Sequence, residues 1–348
     1  MSLNNSPSAS TSNAVLERAL RDKLKRRAET TGSLGELEAL AVRIGLIQNS
    51  LKPTLKHPQL MVFAADHGLA ADGLPQGLVP STSECVHRLL SAKLALSVFA
   101  QIQGMQWWVA DAGMAEPLAP HARLMLRKIG HGTRNARLTS AMQVEQAHAA
   151  IRAGMEIGDA LHGNVVACAA VGVGANESAA LVLSHLTGID VRGLLAPALD
   201  PMEQPLQVRL GTHMGQALER HRALSEPVDV LAALGGFDIA MMVGLMLVVA
   251  SKRSVIVVDG LPAVAALMVA SRITPSVADY CIFSRSNSHP GLDRALALFN
   301  SAAMLELGME SVDGTGTTLV WPMLNSAAAL LTEVAEGEEP GPTLPGPL

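Results

Sequence analysis

A few short stretches hold the residue types from which an active site could be assembled. Asp313-Gly314-Thr315-Gly316 is a flexible, polar loop in front of a helix. The same residues also read as a turn leading into a helix capped by Thr317 or Thr318. Gly172-Val173-Gly174, just before Asn176, is a turn that could aim backbone N–H groups and a helix N-terminus at a phosphate. It lacks the third glycine of a dinucleotide fingerprint, and Asp190 falls on a turn rather than at a strand end, so no dinucleotide site is expected. Asp66-His67 offers an acid–base or metal pair. No HxxxH or HExxH spacing accompanies it, so fixing the following loop is the better reading and no metal is expected. There is no GxSxG nucleophile for acyl transfer.

These candidates take meaning from the elements that must carry them. Residues 59–66 (QLMVFAAD), 106–111 (QWWVAD), 164–171 (NVVACAAV), 254–259 (SVIVVD) and 279–284 (DYCIFS) are apolar runs ending in polar residues. That is the pattern of strands buried on both faces of a parallel sheet. Helical spacing recurs over 81–101, 143–162, 177–186, 238–250 and 262–271. The alternation predicts an α/β fold with a doubly wound, Rossmann-like, mostly parallel sheet and helices on both faces. Chemistry in such sheets collects beyond the carboxyl ends of the strands. Asp66-His67-Gly68, Asp111-Ala112-Gly113, Gly172-Val173-Gly174, Asp259-Gly260 and Ser284-Arg285-Ser286 all fall there.

Composition narrows the partners. The 348 residues are 49% hydrophobic, 16% charged and 3% aromatic, enough for a large core filled by small aliphatic side chains. A net charge of -5 with no dense basic run argues against nucleic acid. The greasiest stretch, 239–250, is shorter than the ~20 residues of a membrane helix and reads as buried. Cys85, Cys168 and Cys281 lack disulfide or zinc spacing, and the N-terminus is no signal peptide, which together point to reduced thiols in the cytoplasm. The expected organisation is a disordered 1–14, a helical arm 15–57 broken near Gly32, a large α/β domain 58–289, C-terminal helices 290–335 that join the arm in a small domain, and a disordered tail 336–348.

Seven motifs in order resemble the nicotinate-nucleotide:dimethylbenzimidazole phosphoribosyltransferase family. They are GSLGELEALA from Gly32, FAADHGLAADG from Phe63, VADAGM from Val109, GTRNA from Gly132, GGFDIAMMVG from Gly235, VDGLPAVAAL from Val258 and DGTG from Asp313. The resemblance implies a homodimer without metal or redox cofactor. It also implies attack by a benzimidazole nitrogen on the anomeric carbon of nicotinate mononucleotide, with inversion and loss of nicotinate. The family base is a glutamate in a Gly-Glu-Gly-Thr-Gly loop; here the position is Asp313, one methylene shorter. By the same matching, substrate contacts fall on Asp66, His67, Gly172, Gly174, Asn176, Gly235, Gly236, Asp238, Asp259, Ser284, Gly314, Thr315 and Gly316.

Other positions depart from the family. Its second acidic residue falls at Ala170, its glycine-rich phosphate loop at residues 194–199 (LLAPAL), and its lysine at Leu210. Arg209 or Arg285 would then supply the charge for a phosphate. Two readings follow: a divergent phosphoribosyltransferase for dimethylbenzimidazole or a related acceptor, or a non-catalytic or altered-specificity paralogue that binds a nucleotide or base.

Overall fold

A computed structural model describes residues 8–74, 81–195, 204–286 and 290–337. Six parallel strands form one sheet in the order β3-β2-β1-β4-β5-β6. They are β1 (Gln59–Ala65), β2 (Gln106–Gly113), β3 (Leu124–Leu126), β4 (Val165–Val171), β5 (Val255–Val258) and β6 (Cys281–Phe283). This is the Rossmann-like doubly wound order, whose direction of winding reverses between β1 and β4. The two strands at the reversal are buried at every position, which is why their sequences run apolar without alternation. All five expected strands are present. The three-residue β3 is too short to leave a pattern in sequence, as are β7 (Arg285–Ser286) and β8 (Leu305–Glu306), which pair with each other. The sheet tapers from seven and eight residues at its centre to three at each edge.

Small residues set how closely the covering helices approach. The Phe237–Ser251 helix is buried on nearly all sides, as its unbroken apolar sequence requires. It meets the Val144–Ala160 helix backbone to backbone. A Cβ on Gly154 would lie 1.9 Å from the Met241 carbonyl oxygen, and one on Gly244 would lie 1.9 Å from that of Ile151. The helical pattern over 81–101 forms two helices, Thr82–Leu90 and Ala95–Ile102, because the Ser91 hydroxyl closes the first on the His87 carbonyl and Ala92 turns left-handed at φ 54°. Residues 82–102 have the hydropathy of a membrane span, but helices of 9 and 8 residues are each too short to cross one.

The chain divides into two compact units, Met1–Ser10 with Lys56–Trp321, and Thr11–Leu55 with Pro322–Leu348. In the second, the Ala14–Thr31 and Glu36–Gln48 helices are separated at Gly32 and Gly35, both at positive φ. The buried Arg27 donates to the Leu330 carbonyl at 2.6 Å, and Arg26 pairs with Glu336 at 2.8 Å. Three boundaries differ from expectation. Residues 8–13 are ordered: the Ser8 and Ser276 hydroxyls share a hydrogen bond, the Tyr280 hydroxyl donates to the Ala9 carbonyl, and Asn13 caps the first helix. Residues 290–321 belong with the sheet, because β8 pairs with β7 and Gly291 lies against Leu194. Glu336 and Gly337 are held by Arg26. The remaining terminal positions, 1–7 and 338–348, lie outside the described residues.

Overpacking a closed helix crossing costs about 1–3 kcal/mol. Gly154→Ala or Gly244→Ala is therefore expected to lower the urea midpoint. Gly215→Ala, on a helix with nothing within 4 Å of the added carbon, is expected to hold or raise it. Equal midpoints in all three would contradict the crossing.

Candidate active site

Parallel strands bring all their carboxyl ends to one edge, and the densest polar cluster stands beyond β5. Asp259, 1% exposed, is the first residue after that strand. Its Oδ2 accepts the backbone N–H groups of Gly314 at 2.7 Å and Gly316 at 2.9 Å, where the Thr315–Thr332 helix begins. A carboxylate at a helix N-terminus satisfies amides that lack helical partners and meets the positive end of the helix dipole. Its Oδ1 accepts Arg285 Nε at 2.7 Å. Arg285, also buried, donates from Nη1 to the Met309 carbonyl at 2.9 Å and the Ser311 hydroxyl at 3.3 Å. From Nη2 it donates to the Ser311 carbonyl and to Asp313 Oδ1, both at 3.0 Å. A guanidinium has five N–H donors, and these five acceptors engage them all.

Asp313 is the member of this cluster that reaches the surface, its side chain 19% exposed. Its carboxyl rests on the α-carbon of Gly260, where a Cβ would lie 2.1 Å from Oδ2, and Gly260 itself holds φ +91°. A side chain at 260 would displace the carboxylate. Burial pushes the Asp313 carboxyl up to about 7 against the pull of the Arg285 charge, with Asp259 adding to the rise. A base with that affinity for protons is matched to chemistry near neutral pH.

A second buried cluster lies where the sheet reverses. His67, following β1, places Nδ1 2.9 Å from the Ser178 hydroxyl and Nε2 3.1 Å from Asp238 Oδ2. Burial disfavours the imidazolium, but Asp238, by charge and hydrogen bond, with help from Asp66 and Glu177, raises the His67 pKa above its ordinary value. Gly236 and Gly174 make room: their added carbons would lie 2.2 Å from His67 Cε1 and 2.9 Å from its Cβ. The Gly172-Val173-Gly174 turn is pinned by the Val173 N–H donating to Thr82 Oγ1 at 3.0 Å, and it opens the Ala175–Thr187 helix. Asp66 joins two loops, accepting the Ala115 N–H at its carboxylate and the Thr133 N–H at its carbonyl. Arg209 is exposed on the Gln204–His221 helix with Nη2 against Gly73, 3.0 Å from where a Cβ would stand.

The sequence-predicted residues therefore divide. Asp66, Gly172, Asn176, Arg209 and Asp313 retain exposed surface. His67, Gly174, Gly235, Gly236, Asp238, Asp259, Gly314, Thr315 and Gly316 are buried supports of the rim. Ser284 and Arg285 turn inward as well. Ser284 directs its hydroxyl to the Val258 carbonyl at 3.1 Å, and Arg285 has its donors engaged within the protein rather than open to a phosphate. Positions 196–199 and 287–289 lie outside the described residues. Sequence reading missed Ser178 and Thr82, which sit in helices with no motif; only the fold brings them to His67 and Val173. The three cysteines are buried, and burial pushes the Cys85 thiol up to about 11. Among the described residues no group of three or more His, Cys, Asp or Glu side chains is gathered to hold a metal.

A family profile described as phosphoribosyltransferase matches residues 9–341. The nicotinate-nucleotide–dimethylbenzimidazole phosphoribosyltransferase of Cupriavidus taiwanensis is 40% identical over 324 residues, covering 92% of each chain. That of Variovorax paradoxus is 37% identical, covering 94% of this chain and 93% of its own. The crystal structure of the enzyme of the same name from Thermus thermophilus superposes with a TM-score of 0.85 at 26% identity, covering 93% of this chain and 97% of its own.

The His67–Asp238 pair has a pH signature. A histidine whose pKa is raised on folding contributes stability that is complete below its unfolded value near 6.5 and is lost as pH rises through the folded value. Asp238→Asn should therefore destabilise more at pH 6 than at pH 9. Urea unfolding at the two pH values measures this; an equal loss at both would mean that His67 is neutral throughout.

Proposed function

The chain belongs to the nicotinate-nucleotide–dimethylbenzimidazole phosphoribosyltransferase family, and from that premise we propose that it moves the phosphoribosyl group of nicotinate mononucleotide onto dimethylbenzimidazole or a closely related azole. The observation that carries the reading is Asp313, a half-buried carboxylate on a glycine-flanked loop at the active edge of the sheet, with its pKa raised to about 7 by burial. An azole nitrogen attacks the anomeric carbon from the face opposite nicotinate. The bond from that carbon to the pyridinium nitrogen breaks, and its electron pair returns to the ring, discharging the positive nitrogen. The attacking azole becomes cationic and loses its ring N–H proton to the Asp313 carboxylate. The product is α-ribazole 5′-phosphate, the nucleotide of the cobalamin lower ligand.

The phosphate is assigned to the partly exposed Gly172 end of the turn at the head of the Ala175–Thr187 helix, with Arg209 supplying charge from the neighbouring helix. Leu210, where the family lysine falls, is 5% exposed and faces the core, whereas the adjacent Arg209 is exposed. Asn176, exposed on the first turn of that helix, and Asp66 complete the polar lining. The non-catalytic reading is not favoured, since a carboxylate poised near neutral pH serves proton transfer and adds nothing to passive binding. We also assign the enzyme to the cytoplasm as a homodimer, on the family resemblance; light scattering of the purified protein tests the dimer.

Nicotinate release from the nucleotide in the presence of dimethylbenzimidazole measures the activity. Asp313→Asn is expected to lower kcat by about 10²–10⁴-fold, the range for loss of a general base. The wild-type rate should fall as pH drops below about 7, because the carboxylate must be ionised to accept a proton. Arg209→Ala should raise KM for the nucleotide by about 10–100-fold with kcat nearly unchanged, as loss of one charge-assisted contact predicts. An active Asp313→Asn enzyme would remove Asp313 from the mechanism.

A further inference from the structure

We propose that Arg285 is a positioning residue for the reaction: bridging Asp259 and Asp313, it fixes the short carboxylate of Asp313 at one place on the rim and keeps it ionised for use as a base. This rests on the reading of Asp313 as the base. It gives Arg285 a task distinct from the phosphate contact suggested by its sequence position.

The geometry carries the inference. The family glutamate reaches one methylene further than Asp313, so a shorter carboxylate must be held where it is needed rather than left to find its place. Two things hold it. Gly260, with no side chain, lets the carboxyl lie on its α-carbon, and Arg285 Nη2 donates to Oδ1 at 3.0 Å from another direction. Arg285 is itself oriented by four further hydrogen bonds, to Asp259 Oδ1, the Met309 carbonyl, the Ser311 carbonyl and the Ser311 hydroxyl. A planar guanidinium anchored at four donors can aim its fifth in only one direction.

The charge balance supports the same role. Among the described residues, the groups facing Asp313 are the Arg285 guanidinium from β7, the Asp259 carboxylate beyond β5, and the Cys85 thiol of the Thr82–Leu90 helix. The thiol is neutral near pH 7 because burial raises its pKa to about 11. Arg285 is therefore the counter-charge for two carboxylates. With both ionised the buried cluster is net negative by one, and accepting the azole proton at Asp313 makes it neutral. Without Arg285, burial beside Asp259 would keep Asp313 protonated across the neutral range and leave no acceptor for the proton.

The test uses the full chain with Arg285→Met and Arg285→Lys, assayed for nicotinate release from pH 5 to 9. Arg285→Met is expected to shift the acid limb of the kcat profile upward by at least about one pH unit, which is about a tenfold loss at pH 6. Arg285→Lys, which keeps the charge and loses the fork, should shift it less in the same direction. A loss of kcat that is uniform in pH, with the limb unmoved, would make Arg285 merely structural and overturn the proposal. Should neither variant fold, NMR of the wild-type protein decides. The Arg285 guanidinium nitrogens should titrate with the same midpoint as a carboxyl signal that disappears in Asp313→Asn, and a guanidinium signal static over that range overturns the proposal. The premise fails separately: an active Asp313→Asn enzyme sinks the base assignment and this inference together, whereas an inactive one beside an unmoved Arg285→Met limb sinks this inference alone.

Discussion

Withdrawing the Asp259 carboxylate from water is the constraint on which the rim is built. A buried carboxylate costs several kcal/mol unless it is paired and hydrogen-bonded. Asp259 meets that cost with two amides at the head of the Thr315–Thr332 helix and with the Arg285 guanidinium. Each partner carries a positional consequence. The amides fix where the helix begins, and so where the Asp313 loop stands in front of it. The guanidinium fixes the 309–311 segment through its two carbonyls. One ionised group at the end of one strand thus sets the place of a loop distant from it in sequence.

The other side of the rim is governed by absence of side chains. Gly172, Gly174 and Gly236 crowd around Ala65 and His67, and an added carbon at any of them would collide with one of these neighbours. The same economy of volume closes the helix crossing at Gly154 and Gly244. A chain with 3% aromatic residues cannot fill gaps with rings, so its elements must approach closely enough to leave none. Polar knots such as His67–Asp238–Ser178 then sit in tight surroundings where misplacement has no slack to absorb it.

Most of the fold was legible because physics writes it locally. A strand buried on both faces must be apolar at every position, so residues 59–65 and 165–171 announced themselves, and polar residues just after them marked the rim. The three-residue β3 and the two-residue β7 and β8 impose no such demand and left no trace. Within the site, Asp313 and Gly314 were readable as a carboxylate on a glycine loop. The inward turn of Arg285 was not. Charged residues are rarely buried, and the acceptors that make it possible arrive from Met309, Ser311 and Asp259, whose convergence depends on tertiary structure alone. The break at Ala92 was hidden for a related reason: helical spacing continues through it, and the stop signal is a serine hydroxyl turned back on the His87 carbonyl.

The taper of the sheet has a consequence for how the molecule keeps to itself. An edge strand offers unpaired N–H and C=O groups as a template for another chain, and the hazard grows with the length of the edge. Here the long apolar strands that would be most dangerous, β1 and β4, are enclosed, and among the described residues the margins are the three-residue β3 and β6, the latter buried and with its Phe283 carbonyl taken by the Met304 N–H. So short a ladder gives an intruding strand too few hydrogen bonds to hold its register. Short margins thereby guard a core this apolar against pairing with another chain.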